Sequence, residues 1–252
     1  MDMEHETIRG RLVYSSKKPA LLDQVRGGEV FTITKHRDGS RTLRAQCAIF
    51  ENSPKVLRDT TTTLDRDWQP TEAFVRIVVD DAFVGSSWYR FTADEIACEA
   101  ITATEGRISC RMPLSGRLGF FVNHSLIADA MHLVAFDLAK GPGTQRIRNG
   151  FTVSLHHRGA TGPMLIALPD GYSFTLEGRE TITVGACTFE SYRWRYGISD
   201  VADDADHGAT LHPPYYIWTT TDGDYIMLKA AVTGYMQTYY ELVELRRGTG
   251  FL

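Results

Sequence analysis

At 252 residues with a formal net charge of −4, the chain lacks the basic footprint that non-specific nucleic-acid binding needs, and no nucleic-acid partner is expected. Its 43% hydrophobic and 23% charged residues are those of a globular protein, long enough to bury one sizeable core without disulfide staples. No run of about 18 apolar residues suggests a membrane span, and Met1 to Glu6 show neither a basic nor an apolar stretch, so a cytoplasmic location is expected.

In chain order, period-two alternation dominates. Phe31 to Ile33, the Asp38-Gly39 turn and Ser40 to Phe50 read as a hairpin, with Leu43, Ala45, Cys47 and Ile49 on one face and Arg44 and Gln46 on the other. Phe74 to Val79, Trp88 to Phe91, Ile96 to Ile101 and Arg107 to Met112 continue a meander after the Pro70 break, with a turn at Glu105-Gly106. Ser125 to Ala139 changes period. Ile127, Ala130, Met131, Val134, Ala135 and Leu138 have helical spacing, Asn123 or Ser125 can cap the start, and Gly141-Pro142 stops it. Leu133 and Phe136 make this helix apolar nearly all round, which predicts burial against the concave face of a curved sheet.

Strands resume at Phe151 to His156, Met164 to Leu168, Tyr172 to Leu176, Thr181 to Val184 and Thr188 to Tyr196. Tyr215 to Thr221 and Asp224 to Ala231 flank Asp222-Gly223, which reads as a tight hairpin turn, and Tyr235 to Leu245 is the last strand. Asp200 to His212 reads as a long acidic loop. With no linker or repeat, residues 1–252 form one expected domain: mainly all-β, a large curved antiparallel sheet, barrel or half-barrel of about a dozen strands around one buried helix.

Three runs in the C-terminal third carry a resemblance: Glu180 to Phe189 (ETITVGACTF), Ile217 to Leu228 (IWTTTDGDYIML) and Tyr240 to Leu242 (YEL). Together they resemble uncharacterised bacterial β-rich domains that are similar to the lipoprotein-carrier half-barrel, in which a curved antiparallel sheet wraps a helix. The resemblance implies a concave apolar cavity and carries over no functional residue.

The sequence has no GxSxG elbow, P-loop, GxGxxG or HExxH motif, so no nucleotide or nicotinamide cofactor is expected. Cys47, Cys98, Cys110 and Cys187 form no CxxC pair and are expected to be free, mostly buried thiols. His124, beside Phe121 and Asn123 at the helix start, suits a neutral base, because the helix dipole disfavours its charged form; Asn123 and His124 equally suit capping. Arg90 shares a strand face with Trp88 and could hold an anionic oxygen, or could cover an aromatic from outside. Tyr192, Trp194 and Tyr196 alternate with Arg193 and Arg195. Either set could line a cavity, as an apolar wall with phenol donors or as an anion site, or the pairs could serve stability alone.

No metal site is expected. The acidic loop with Asp200, Asp203, Asp204, Asp206, His207 and His212 lacks an EF-hand order, and His156 and His157 would point to opposite faces of a strand. The resulting expectation is a cofactor-independent lyase, hydratase–dehydratase or isomerase acting on a small hydrophobic or aromatic metabolite. His124 would be the base, Arg90, Arg193 or Arg195 would hold the oxygen, and Tyr192 or Tyr239 would donate the proton. The alternatives are a binding protein for the same kind of molecule without turnover, and an assembly module whose free sheet edges pair in a homodimer.

Overall fold

Alternating side chains run through most of the chain and produce an all-β structure. The computed structural model describes residues 5–50, 54–197, 213–234 and 236–250. The strands are β1 (Glu6–Ser16), β2 (Val25–Lys35), β3 (Arg41–Ile49), β4 (Val56–Leu64), β5 (Pro70–Val79), β6 (Ala82–Phe91), β7 (Glu95–Thr102) and β8 (Gly106–Pro113). Short β9 (Phe120–Val122), β10 (Gly143–Ile147), β11 (Gly150–Thr152) and β12 (Ile166–Leu168) follow, then β13 (Tyr172–Val184), β14 (Cys187–Gly197), β15 (Tyr215–Thr220), β16 (Met227–Val232) and β17 (Thr238–Thr249).

Fourteen of these strands form one antiparallel sheet in the order β10-β13-β14-β15-β16-β17-β1-β2-β3-β4-β5-β6-β7-β8, with β10 and β8 at its two edges, so the sheet does not close. β12, β11 and β9 make a separate small sheet. The first and last long strands pair in the middle of the large sheet. Beside that junction the Phe31 ring lies over Gly10, where a Cβ would come within 2.2 Å of the ring, so position 10 has no room for a side chain.

The inner face carries two cores. One gathers Leu12, Leu43, Phe174, Trp194, Ile217 and Leu242 around the helical segment. The other fills the inner face of β5 to β7 with Val75, Ile77, Tyr89 and Ile96, closed by Phe121, Phe151, Val153 and Leu165. β3 shows the expected pattern: Leu43, Ala45 and Cys47 are buried and Arg44 and Gln46 exposed. Among the described residues no helix is long and apolar enough to cross a membrane.

Three local expectations are corrected. The helical stretch is shorter: α1 spans Leu126–Met131 and tightens into a 3-10 turn at His132–Ala135. It ends where Phe136 turns extended (ψ 128°) to pack on Trp194, with ring centroids 5.2 Å apart. The strand at Phe151 stops after Thr152, whose hydroxyl donates to the Ser154 carbonyl (2.9 Å) and accepts from its N–H (3.3 Å); this local loop competes with the ladder. The Asp222-Gly223 turn sits inside a longer connection. Thr219 pairs with Met227, and Thr220 accepts from the Ile226 N–H, so β16 starts three residues later than the tight hairpin requires. The acidic loop from Asp200 to His212 and the start of the last strand at Tyr235 lie outside the described residues.

Candidate functional site

A row of tyrosines crosses the inner face. Tyr196 on β14 faces Tyr215 on β15, and Tyr14 on β1 faces Tyr240 on β17. The rings run continuously: Tyr172 to Tyr196 at 5.2 Å, Tyr196 to Tyr215 at 5.6 Å, Tyr215 to Tyr240 at 6.4 Å and Tyr240 to Tyr14 at 5.0 Å. Tilted and edge contacts at these separations are the favourable arrangements for aromatic pairs. All five line a cavity of about 280 Å³, with Val122, Leu126, Leu168, Val232 and Met236 among its apolar walls.

Asp129, the single acid in an otherwise apolar helix turn, also lines the cavity. Tyr215 Oη donates to its Oδ2 at 3.4 Å. Burial pushes the carboxyl up to about 8 and the nearby Glu29 charge adds to this, against the opposing pull of Tyr215 and Arg58. Burial likewise raises Tyr14, Tyr196 and Tyr215, and Tyr240 to about 12. Near neutral pH this side of the site therefore presents one protonated carboxyl among neutral phenols, a set of hydrogen-bond donors beside apolar walls.

The helix that carries Asp129 is held from below. Glu29 on β2 is 1% exposed, and its carboxylate accepts from the Leu126 and Ile127 N–H groups (2.8 and 3.0 Å), Tyr14 Oη (3.1 Å) and Cys47 Sγ (3.0 Å). Two otherwise orphaned N-terminal donors of α1 are thus satisfied by a carboxylate from the sheet. Burial raises Glu29, and these four hydrogen bonds work against that rise.

The opposite wall is the turn from Leu155 to Arg158. Arg58, buried on β4, donates to the carbonyls of His124 (2.6 Å), Arg158 and Gly159 (3.3 Å). His124 has a left-handed backbone (φ 62°), and its Nε2 donates to the Ser154 carbonyl at 2.9 Å, so that nitrogen carries the proton. A Cβ at Gly159 would lie 2.6 Å from the Arg58 guanidinium and 2.7 Å from the His124 ring. His156 and His157 belong to this turn rather than to a strand, and their rings stack at 4.5 Å instead of diverging. Burial and the neighbouring Arg158 charge lower His156. Among the described residues no three His, Cys, Asp or Glu side chains are arranged to hold a metal ion.

Of the residues singled out from sequence, His124, Tyr196, His156 and His157 line this cavity. Arg90 and Trp88 are exposed on the outer face, because Tyr89 between them takes the inward position. That removes Arg90 as a catalytic group of this pocket. On β14 the aromatics face inward and the arginines outward. Tyr192 accepts a hydrogen bond from Arg179, Trp194 is buried and donates to Thr219 Oγ1 (3.0 Å), and Arg193 pairs with Glu177 (2.7 Å). Arg193 also lies over the Trp218 ring, and Arg195 is on the same outer side. Tyr239 stands outside between Lys17 and Lys229, while Tyr240 faces in. Phe121 is sealed in the second core against Tyr89 and Phe91. Asn123 is structural: its Oδ1 accepts from the Ser125 N–H and hydroxyl (2.9 and 2.8 Å), and its amide donates to Thr62 (3.2 Å).

Asp129 and four of the tyrosines, Tyr14, Tyr172, Tyr215 and Tyr240, form the group that sequence reasoning missed. A signal for Asp129 existed, since one acid interrupts the run Leu126-Ile127-Ala128-Asp129-Ala130-Met131. The five tyrosines of the row come from five distant strands, and only their register brings them together.

No family model matches the chain, and a search of curated proteins finds no match. Among solved structures, the chain is similar to a β-barrel-like protein of a domain of unknown function (DUF1849) from Brucella abortus. The identity is 10%, the coverage 97% of this chain and 98% of the other, and the TM-score 0.53. A protein with a YmcC-like fold from Bacteroides fragilis aligns at 8% identity over 98% and 96% of the two chains, with a TM-score of 0.31. The first likeness is one of fold alone, a large β-barrel-like antiparallel sheet.

Proposed function

We propose that the chain binds a small hydrophobic or aromatic molecule carrying one acceptor group, held in the tyrosine-lined cavity with Asp129 as its polar anchor. The observation that carries this reading is the placement of Asp129. A carboxyl raised to about 8 stands in a cavity of about 280 Å³ among five tyrosines. An apolar pocket with a few convergent polar groups is the usual form of a small-molecule site. The volume suits a ring system better than a long acyl chain, so carriage of the kind the lipoprotein-carrier half-barrel performs is the narrower and less favoured form of the same reading.

The test is saturable binding of an aromatic fluorescent probe, followed by displacement with a panel of aromatic acids, ketones and phenols. Leu168→Trp, which fills the cavity from its rim, should abolish binding while leaving the far-ultraviolet circular dichroism unchanged. Binding that survives this substitution would place the ligand elsewhere and end the proposal.

A second reading, cofactor-independent lyase or isomerase chemistry, is favoured by one observation: the Asp129 carboxyl titrates near neutrality with a phenol on its Oδ2. A group in that range suits general acid–base work. It would move the proton-transfer role from His124, whose Nε2 proton is committed to Ser154, to Asp129. Turnover of a bound ligand that is lost in Asp129→Asn, with affinity kept, would support it; a bound ligand recovered unchanged would reject it.

A further inference from the structure

β7 and β8 form the terminal hairpin of the large sheet, and β8 has a neighbour on one side only. Their register sets Cys98 directly opposite Cys110. Both are free thiols: Cys98 is 1% exposed within the second core, and Cys110 lies at its rim with partial exposure. Directly opposed residues in an antiparallel pair have Cα atoms about 4.5 or 5.5 Å apart, depending on their place in the ladder. Both values fall inside the range of about 4.4–6.8 Å that a disulfide spans. The Cys110 thiol is near enough to act on the Cys98 thiol across the ladder. The sequence gives no hint of this pair, because twelve positions separate the cysteines and no motif joins them.

We propose that Cys98 and Cys110 form a redox modification site, a reversible cross-strand disulfide that clamps the edge hairpin. The oxidant is a low-molecular-weight disulfide such as oxidised glutathione. The Cys110 thiolate, on the accessible side, attacks one sulfur of that disulfide; the S–S bond breaks and one small thiolate leaves. Cys98 then loses its proton and attacks the Cys110 sulfur, expelling the second small thiolate. Two protein thiols are oxidised to one disulfide, and one small disulfide is reduced to two thiols. Burial pushes the Cys98 thiol up to about 12, with the neighbouring Cys110 adding to the rise, so the closing step quickens as pH increases. Cys47 lies buried against Glu29 and is not paired with another cysteine, and exposed Cys187 can form only a mixed disulfide within one chain.

The clamp matters because β8 is an edge strand, and edge strands open first and pair with foreign strands when unprotected. Joining β7 to β8 restrains the unfolded chain as well as the edge.

The experiment is oxidation of the folded chain by excess oxidised glutathione at mildly alkaline pH, alkylation, and tryptic digestion without reduction. Cleavage after Arg90, Arg107 and Arg111 places the two cysteines on separate peptides, Phe91–Arg107 and Ile108–Arg111. The expected product is these two peptides linked by a disulfide, released by dithiothreitol. The oxidised chain should melt several degrees above the reduced one, and Cys110→Ser should remove that difference. A glutathione adduct on Cys110 with Cys98 still open to alkylation after unfolding would overturn the proposal, as would a linked pair that appears only when the oxidation is run in denaturant.

Discussion

The two halves of the inner face are built from the same alternating strands and finish differently. In the half under β5 to β7 the polar tips are tied to the chain that covers them. Ser87 and Tyr89 donate to the carbonyls of Pro163 and Met164, both at 2.7 Å, and Phe121 wedges edge-on against Tyr89 and Phe91 at 4.9 and 5.0 Å. In the half under β13 to β1, five tyrosines and a carboxyl surround about 280 Å³ of space. Aromatic content is high in both. The difference lies in covering chain: Phe121, Phe151, Val153 and Leu165 fill one half, while the short α1 and the turn from Leu155 to Arg158 leave part of the other open. A cavity here follows from a cover too short for the sheet beneath it.

Breaking the filled half should have the largest effect. Phe121→Ala removes a ring packed on two others and is expected to lower stability by about 3–5 kcal/mol in urea unfolding, with probe binding in the tyrosine half retained below the transition. A loss under about 1 kcal/mol would mean that the half is loosely packed and that the contrast drawn here is wrong.

Removing the support of the open half should come next. Glu29→Ala leaves two helix N–H donors, Tyr14 and Cys47 without their shared acceptor. A loss of about 3 kcal/mol is expected, with Glu29→Gln, which keeps one acceptor oxygen, losing about half of that. Near-ultraviolet circular dichroism should weaken with the alanine variant, because Tyr14 stands at one end of the ring chain. An unchanged spectrum and stability would show that the helix is held by its apolar contacts alone.

How much of this was legible beforehand divides along the same line. Most strands, the curved antiparallel architecture and the buried helical segment follow from period and apolar content, which are local properties; β1 and β4 were not read from the sequence. The inward choice on β14 was open in the sequence because Tyr192, Trp194 and Tyr196 and their alternating arginines make equally regular faces. Burial decided it: rings pack inside, and Arg193 finds Glu177 and the Trp218 ring outside. The same argument sends Arg90 outward, since a guanidinium with no buried acid to meet it cannot displace the Tyr89 ring from the core. The site as a group was illegible, although His124 and Tyr196 were singled out, because its tyrosines lie on strands from β1 to β17 and acquire a common neighbour only through the sheet order.

Asp129 tests the open half through pH. Its carboxyl is raised to about 8 in the fold, against an ordinary value of about 3.9 in the unfolded chain. Between those values the folded chain holds a proton that the unfolded chain has released, so stability falls as pH rises through this window and the deficit is complete above about pH 8. Asp129→Asn cannot ionise. It should match the wild type near pH 4 and exceed it by about 2 kcal/mol at pH 8, a figure discounted for the partial solvent contact of Asp129. Parallel pH profiles for the two proteins would show that this carboxyl is not held protonated, and the anchor role proposed for it would go with that. Probe affinity should follow the same titration, falling above about pH 8 in the wild type and staying level in the variant.

The smallest expected effect is the sharpest check on which face is inside. Arg90 projects outward from β6 and faces Glu72 and Ala97 across the ladder. Arg90→Ala should change stability by no more than about 0.5 kcal/mol, because exposed side chains away from caps and buried networks contribute little. It should leave probe affinity unaltered. Tyr89→Phe, one position away on the opposite face, removes the hydroxyl that meets the Met164 carbonyl and should cost about 1 kcal/mol or more. The two substitutions are adjacent in sequence and differ only in the side of the sheet they touch. If the arginine variant lost binding while the tyrosine variant kept full stability, the faces of β6 would be exchanged, and with them the whole division between filled and open halves.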